Sequence, residues 1–336
     1  MSDTTAASKE HPEAPTVVGL LWNPAAGGNR RRPQLLDRTV EELGVQAYRQ
    51  AVTPSAISRA LAELKAAGVT TLVISGGDGT IQAVLTCLFE ERPFGVIPDI
   101  ILLPSGTTNM DAHDLGLPGN PARALTRLRQ AGGDNLTGLT IRERPVLRVA
   151  HGDRRLYGFF LGTGLIAEAV AYFQQRIRRW SFLGQAGSLL ASLRTLASLL
   201  FRRPEPVPMA LDWSDGQTRG GGWALVMATS LERVLFRSRP YHDIGTGEAR
   251  MTAARYPLRR SLWALLRPGR AGEWAEEQGL CSRRVDTLSI ELDGDYIVDG
   301  ETYQAQKSDG PVEVTVAEER VRFRVPPAAG KETARR

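Results

Sequence analysis

The stretch Ser75-Gly76-Gly77-Asp78-Gly79-Thr80 decides the fold prediction. It follows an apolar run at 71–74 that is typical of a buried parallel strand, and it precedes residues 81–85, which are typical of a helix start. Glycines let a phosphate approach the backbone closely, and the free N–H groups and dipole of a helix N-terminus favour negative charge. The carboxylate of Asp78 would repel phosphate unless a cation lies between them, so the stretch predicts a site for a Mg²⁺-nucleotide. A tight turn in which Asp78 caps the helix is the alternative interpretation.

Two further loops carry the same chemistry. The apolar run at 17–22 leads into a loop at 23–30, and the run at 99–103 leads into a loop at 104–109. Both loops hold glycine and polar side chains. In an open parallel sheet such loops gather at the carboxyl edge, where ligands bind. Three loops of this kind therefore predict a nucleotide or phosphate site.

The three loops, in this order, resemble the diacylglycerol kinase catalytic domain family, which also holds sphingosine kinases and bacterial lipid kinases. The family's Asn-Pro-Gly, Gly-Gly-Asp-Gly-Thr and Pro-x-Gly-Thr-x-Asn loops are matched by residues 23–28, 76–80 and 104–109. Its late acidic motif is matched by Asp-Gly-Glu at 299–301. The resemblance covers roughly residues 17–325. NAD kinases and phosphofructokinases share the central motif, so the set of four in order is more specific than the central motif alone.

Residues 16–145 alternate strands with helices, which predicts a doubly wound α/β nucleotide-binding domain. Thr53 and Pro54 suit the cap and the first turn of a helix. The expected strands lie at 17–22, 46–52, 71–75 and 99–103, and the expected helices lie at 33–43, 54–67, 80–90 and 121–130.

Residues 146–325 are predicted to form an antiparallel, β-rich, sandwich-like second domain for the lipid substrate, because short apolar runs alternate with turn residues. A helical insertion rich in arginine and leucine is expected at 165–203. The resemblance implies that the last strands, at about 312–325, return to the first domain. Residues 1–15 and 326–336 are expected to be tails, the first of them disordered. The predicted strands lie at 146–149, 156–160, 207–211, 223–227, 288–292 and 312–316.

The resemblance implies phosphoryl transfer, which asks a protein to position phosphates, neutralise charge and supply a base. Asp78 is expected to hold Mg²⁺, directly or through water, and Glu301 to take the proton from the attacking lipid hydroxyl. The predicted phosphate contacts are the backbone amides of Gly76, Gly77, Gly79 and Gly106 and the hydroxyls of Thr80 and Thr107. The further nucleotide contacts that the resemblance implies are Asn23, Thr53 and Asn109.

Glu301 has two alternatives. Asp299-Gly300 is a strong hairpin signal in its own right, so the motif also suits an ordinary turn. Asp293-Gly294-Asp295 is a rival for the catalytic role, and Glu301 is preferred because it matches the family's glutamate.

The chain departs from the family at several positions. Gln82 and Ala83 stand where the family has asparagine and then glutamate, and residues 109–112 differ from its asparagine-aspartate pair. No acid stands at 164–166, where many members place one. Residues 244–248 lack the acid pattern of a structural magnesium site found in some bacterial members, so that ion is not expected.

Cysteine and histidine usage argues against several classes of site. The two cysteines give neither a disulfide framework nor a metal spacing, and the four histidines are scattered along the chain. We therefore expect neither a zinc site nor a Ser-His-Asp arrangement. Residues 1–15 carry no secretory signal and no apolar run is long enough to cross a bilayer, so a cytoplasmic location is expected.

Arginines make up most of the basic residues behind the net charge of +5, and they are unevenly placed. In stretches 172–203 and 255–270 they are interleaved with leucine, phenylalanine and tryptophan, which suits an anionic membrane surface. A buried leucine face with solvated arginines is the alternative. The lipid-kinase resemblance favours the membrane, because a lipid substrate requires access to the interface. Peripheral membrane association is therefore expected, with no nucleic-acid partner.

The leading hypothesis is an ATP-dependent and Mg²⁺-dependent lipid kinase acting on diacylglycerol or a related lipid alcohol, with a sphingoid base as a further acceptor. A kinase of a soluble alcohol such as NAD is the second hypothesis. The third is a nucleotide-binding regulatory module that has lost catalysis, which Ala83 and the thin set of acids would explain.

Overall fold

The structure, a computed structural model, describes residues 16–133, 135–177, 207–213, 218–234, 238–256, 258, 261 and 273–327. Its strands are β1 (Val18–Trp22), β2 (Ala47–Gln50), β3 (Thr71–Gly76), β4 (Asp99–Pro104), β5 (Thr140–Arg144), β6 (Leu147–His151), β7 (Arg154–Gly158), β8 (Phe160–Gly164), β9 (Val207–Asp212), β10 (Arg219–Thr229), β11 (Ala249–Arg255), β12 (Leu280–Val285), β13 (Thr287–Glu291), β14 (Gly294–Val298), β15 (Glu301–Ala305), β16 (Val312–Val316) and β17 (Val321–Val325). Its helices are α1 (Gly27–Arg31), α2 (Leu35–Glu42), α3 (Pro54–Ala66), α4 (Asp78–Glu90), α5 (Met110–Asp114), α6 (Pro121–Gly132), α7 (Leu165–Ile177) and α8 (Glu273–Glu277).

The first domain is built on a six-stranded sheet of order β2-β1-β3-β4-β17-β5. Strands β1 to β4 and β17 run parallel, and only β5 is antiparallel to its neighbour. Every residue of β1, β3 and β4 is buried, as is usual for parallel strands covered by helices on both faces. Helices α3 and α4 pack against each other, as do α2 and α6. The doubly wound α/β prediction is confirmed.

The second domain is an eleven-stranded sheet in which every pairing is antiparallel. Its main path runs β15-β14-β8-β10-β9-β13-β16-β6-β7, and β11 and β12 branch from β10. The sheet curls, so the terminal strands approach each other: the Arg154 guanidinium of β7 lies 5.4 Å from the ring centroid of Tyr303 on β15. The predicted antiparallel second domain is confirmed, as one curled sheet around its own hydrophobic core.

The chain crosses between the domains at its last strands. Strand β16 pairs with β6 and β13 in the second sheet, whereas β17 lies between β4 and β5 in the first. Apolar and basic residues alternate along β17, so that Val321, Phe323 and Val325 enter the core. Arg322 and Arg324, on the opposite face, form ion pairs of 3.3 and 2.8 Å with Asp99 at the start of β4.

Several elements differ from the sequence prediction. The expected strand at 156–160 is two strands, β7 and β8, which break at Phe159. Strands β5, β11 and β12 and the short helices α1 and α5 were not predicted. Of the predicted insertion at 165–203, α7 is described, and residues 178–203 lie outside the described residues. Within the described ranges, no helix combines the length and the apolar character that crossing a membrane requires.

Two valine substitutions test whether β17 is part of the first domain's core. Val321 is fully buried, whereas Val96 is 82% exposed. Val321→Ala should lower the free energy of unfolding by roughly 2 kcal/mol, because it removes buried methyl groups and leaves a cavity. Val96→Ala should change it by less than about 0.5 kcal/mol. Urea unfolding followed by circular dichroism measures both, and equal losses would contradict this placement of β17.

Candidate functional site

Three loops meet at the carboxyl edge of the first sheet. The N–H of Gly28 donates to the carbonyl of Ser105 (2.7 Å), and the N–H of Ser105 donates to the carbonyl of Gly76 (2.7 Å). The Asn23 amide donates to the Thr80 hydroxyl at 2.9 Å. The loops after β1, β3 and β4, which the sequence singles out, therefore form one surface.

The two glycine loops touch through their backbones. A Cβ atom on Gly77 would lie 2.9 Å from the α-carbon of Gly106, and one on Gly106 would lie 2.6 Å from the α-carbon of Gly77. Real Cβ atoms do not approach so closely, so both positions require glycine. This contact brings the start of α4 next to the start of α5.

A network of hydrogen bonds centred on the buried Asn29 side chain joins the loops. The Asn29 side chain donates to the carbonyls of Asn23 (2.8 Å) and Ser75 (3.2 Å). Its Oδ1 accepts from the hydroxyls of Ser105 (2.6 Å) and Ser75 (3.1 Å). No role was predicted for Asn29, Ser75 and Ser105, although polar side chains at the ends of buried strands mark Ser75 in β3 and Ser105 after β4.

Asp78 is the first residue of α4 and is buried. Its Oδ2 accepts a hydrogen bond of 2.5 Å from the Thr108 hydroxyl, and its Oδ1 has no partner. Burial raises the pKa of Asp78, against the lowering effect of Thr108 and of N–H groups at the start of α5. Gly77, not Asp78, is the cap residue of α4 and makes no side-chain cap bond, so the interpretation of Asp78 as that helix's cap is wrong.

Two more buried carboxylates interact with Asp78. Asp111 lies on α5, is 1% exposed, and has no partner for either carboxylate oxygen. Burial, and then the charges of Asp299, Asp78 and Asp114, raise the pKa of Asp111 well above its usual value. Burial also raises the pKa of Asp299 to about 8, with the Asp78 charge adding to it and the N–H groups of Phe159 and Phe160 opposing it. The site thus gathers three carboxyl groups away from water, where burial favours their protonated forms.

Asp299 and Gly300 form a hairpin turn between β14 and β15, as their sequence suggests. Both have positive φ, 45° and 86°, as a two-residue turn of this kind requires. The Asp299 Oδ1 accepts from the N–H of Phe160 at 2.8 Å and from that of Phe159 at 3.1 Å. The turn is therefore tied to the break between β7 and β8.

The hairpin carries Glu301 to the glycine loop. Glu301 is exposed, and its Oε1 occupies the place where a side chain on Gly79 would begin. The rival acids lie elsewhere: Asp295 pairs with Gln304 near the other end of the hairpin, and Asp293 accepts from the N–H of Lys307 at 2.8 Å. Of these three acids, Glu301 is the one that the structure brings to the loops.

Of the remaining predicted contacts, some keep hydrogen-bonding groups available to a ligand and others bond within their own loop or helix. Thr80 and Thr107 stand on the loops, and the Asn23 bond leaves the Thr80 hydroxyl proton able to donate. Thr53 caps α3, as predicted, through a bond of 3.3 Å from the N–H of Ala56. The Gly106 N–H donates to the Asn109 Oδ1 at 2.8 Å, so this amide and this side chain hold their own loop together.

The buried acids Asp78 and Asp111 suit a cation whose other ligands are water and substrate phosphate. Within the described residues, no group of three His, Cys, Asp or Glu side chains is arranged to hold a metal ion. Magnesium is usually bound by one or two carboxylates, several waters and substrate phosphates. Asp78 Oδ1 and both Asp111 oxygens are buried acceptors without partners, so these residues could hold Mg²⁺ that arrives with a phosphate ligand.

Comparison with known proteins finds a family model that is similar to the first domain. Residues 17–137 match the family model described as the diacylglycerol kinase catalytic domain. Over 63 residues the chain is 44% identical to proteins named "Probable lipid kinase YegS" from Salmonella arizonae and Salmonella heidelberg. This match covers 19% of the chain and 21% of those proteins, so it spans about a fifth of their length.

The fold is similar to that of a solved structure over most of its length. A diacylglycerol kinase from Bacillus anthracis str. Sterne superimposes with a TM-score of 0.63 and 17% identity, over 93% of this chain and 97% of that one. At this identity the likeness concerns the fold, which includes both domains.

The pKa of Asp299 predicts a pH dependence of stability. The folded protein holds a proton up to about pH 8 that the unfolded chain releases near its usual value of 3.8. The stability that this proton contributes is complete below about pH 4, decreases between pH 4 and pH 8, and is lost above pH 8. In metal-free buffer the free energy of unfolding should therefore fall over this range. Asp299→Asn should reduce the slope by up to about 1 kcal/mol per pH unit.

Asp295→Asn is the matched control, because this exposed carboxylate lies on the same hairpin. Urea unfolding at several pH values measures the slopes. A slope that is the same in Asp299→Asn and in the wild type would contradict the proton on Asp299.

Proposed function

We propose that this protein is a lipid kinase, since residues 17–137 match the family model described as the diacylglycerol kinase catalytic domain. It transfers the γ-phosphate of ATP to the hydroxyl of diacylglycerol or a related lipid alcohol. The observation that carries this proposal is the place of Glu301 against Gly79: a carboxylate from the second domain meets the phosphate-type loop of the first.

The first turn of α4 supplies the phosphate site. The N–H groups at the helix start and the helix dipole favour anions, and Gly79 leaves room for the Glu301 carboxylate beside the loop. Thr80 can donate its hydroxyl proton to a phosphate oxygen while it accepts from Asn23. When bound with ATP, Mg²⁺ would neutralise phosphate charge, and Asp78 with Asp111 would hold it.

Glu301 serves as the general base in this mechanism. It is exposed on the tip of the hairpin, so a hydroxyl entering from solvent or from a membrane can reach it. Glu301 takes the proton of the lipid hydroxyl as the hydroxyl oxygen attacks the γ-phosphorus of ATP. The leaving group, ADP, departs on the opposite side of that phosphorus. Asp299 keeps the tip in place through the amides of Phe159 and Phe160.

The acceptor is a lipid in this proposal, and the protein reaches it as a peripheral, cytoplasmic protein on an anionic membrane. Most of the arginine-rich stretches 172–203 and 255–270 lies outside the described residues. The described start of the second stretch, Arg255, is exposed and lies 4.4 Å from the ring centroid of buried Trp223. One Arg255 nitrogen donates to the Gly220 carbonyl at 3.4 Å, and the other N–H groups of the guanidinium can donate to phosphate groups of lipids.

Transfer of labelled γ-phosphate from ATP, with Mg²⁺, to lipids in mixed micelles tests the function. Glu301→Gln keeps the shape of the side chain and removes the base, so the rate should fall about 10²–10⁴-fold. Glu291→Gln, a change of the same kind at an exposed site on β13, should leave the rate unchanged.

The outcomes separate the competing functions. Equal rates for Glu301→Gln and wild type would reject Glu301 as the base. If calorimetry shows that wild type binds Mg²⁺-ATP but no lipid is phosphorylated, the lipid-kinase proposal is wrong. Phosphorylation of NAD would then identify a soluble-substrate kinase, and binding without any turnover would identify a regulatory module.

A further inference from the structure

A buried glutamine joins the phosphate loop to the hairpin that carries Glu301. Gln82 lies one turn into α4 and is 3% exposed. Its Oε1 accepts from the Tyr303 hydroxyl at 3.3 Å, and its Nε2 donates to the Thr86 hydroxyl at 3.3 Å. The Gln82 amide is therefore oriented by two partners on different elements.

The same chain of bonds reaches the other end of the second sheet. The Thr86 hydroxyl also accepts from the N–H of Tyr157 on β7 at 3.0 Å. The ring of Tyr157 stacks on Phe89 of α4, with centroids 4.7 Å apart. Helix α4 thus binds both terminal strands of the second sheet, β7 and β15, along one side.

The position of Tyr303 affects the position of Glu301, because both residues lie on β15. The two residues are two apart on β15, so they lie on the same face of the strand. The Tyr303 ring stacks on Tyr296 at 5.6 Å and lies under the Arg154 guanidinium. Burial raises the pKa of Tyr303 to about 12, so the hydroxyl remains a donor at neutral pH.

Two sets of bonds shape the hairpin from within the second domain. Asp299 accepts from the N–H groups of Phe159 and Phe160, and β15 pairs with β14. These bonds shape the hairpin but do not set its distance from Gly79. The Tyr303–Gln82 bond connects it to the helix on which the glycine loop ends.

We propose that the Tyr303–Gln82 hydrogen bond is a positioning contact that keeps the Glu301 carboxylate in register with the phosphate loop. This inference rests on the proposed kinase function, and it assigns a role to the glutamine at which the chain departs from the family's asparagine. Tyr303 and Gln82 are positioning residues and touch neither substrate.

Tyr303→Phe is the first variant, because it keeps the ring and its stack on Tyr296 and removes only the hydroxyl. The rate constant kcat should fall on the order of 5-fold, the effect of one neutral hydrogen bond, while KM for ATP stays unchanged. Tyr48→Phe, a matched change at a 46% exposed tyrosine of β2, should leave both constants unchanged.

A double-mutant cycle identifies the partner. Gln82→Met has a similar shape without the acceptor, and it should lower kcat at least as much as Tyr303→Phe does, since it also removes the bond to Thr86. The double variant should lose no more than Gln82→Met alone, since the Tyr303–Gln82 bond is already absent there. In a Glu301→Gln background, Tyr303→Phe should have no effect on the residual rate, because the base that it positions is absent. A purely structural role would lower the rate there as well.

Hydrogen exchange provides a readout that does not depend on activity. Tyr303→Phe should speed the exchange of amides in β15 and leave those in β13 unchanged. Active wild type with an unchanged kcat in Tyr303→Phe, or additive losses in the cycle, would overturn this inference and leave the kinase proposal standing. Wild type that phosphorylates no lipid would overturn the kinase proposal, and the positioning role of Tyr303 with it.

Discussion

The site depends on the direct contact between the backbones of Gly77 and Gly106. Strands β3 and β4 are neighbours that end in register, at Gly76 and Pro104, so their loops leave the sheet at the same level. Any side chain at either glycine would push the loops apart. Because no side chain intervenes, the Thr108 hydroxyl reaches the Asp78 carboxylate at 2.5 Å, and the first turns of α4 and α5 face the same point.

That convergence has an electrostatic consequence. Asp78, Asp111 and Asp299 come from three different elements and end in one poorly solvated region, where burial raises the pKa of each. Such carboxylates must keep protons or meet a cation. A cation that binds only the folded protein would therefore add to its stability, while the same acids without it oppose folding at high pH. Readiness to bind a cation and loss of stability at high pH thus have a common cause.

The sequence predicts what depends on local pattern and on general topology. Apolar runs locate the parallel strands, and parallel strands bring their loops to one edge, so the meeting of residues 23–28, 76–80 and 104–109 is foreseeable. The carboxylate cluster is not foreseeable, because Asp111 lies on a short helix and Asp299 lies on a hairpin far along the chain. The apolar stretch 156–160 hides the break at Phe159, which exists because the amides of Phe159 and Phe160 turn to Asp299.

The curl of the second sheet explains why a hairpin from that domain can serve the first. Strand β15 is a terminal strand, and an uncovered terminal strand invites unwanted pairing with other chains. Here α4 lies beside β7 and bonds to β15 through Gln82. An interior strand has a neighbouring strand on each side. The terminal strand β15 has a neighbour on one side of the sheet path, so it can present Glu301 across the domain boundary. The helix that begins at the glycine loop thus also contacts the strand that carries Glu301.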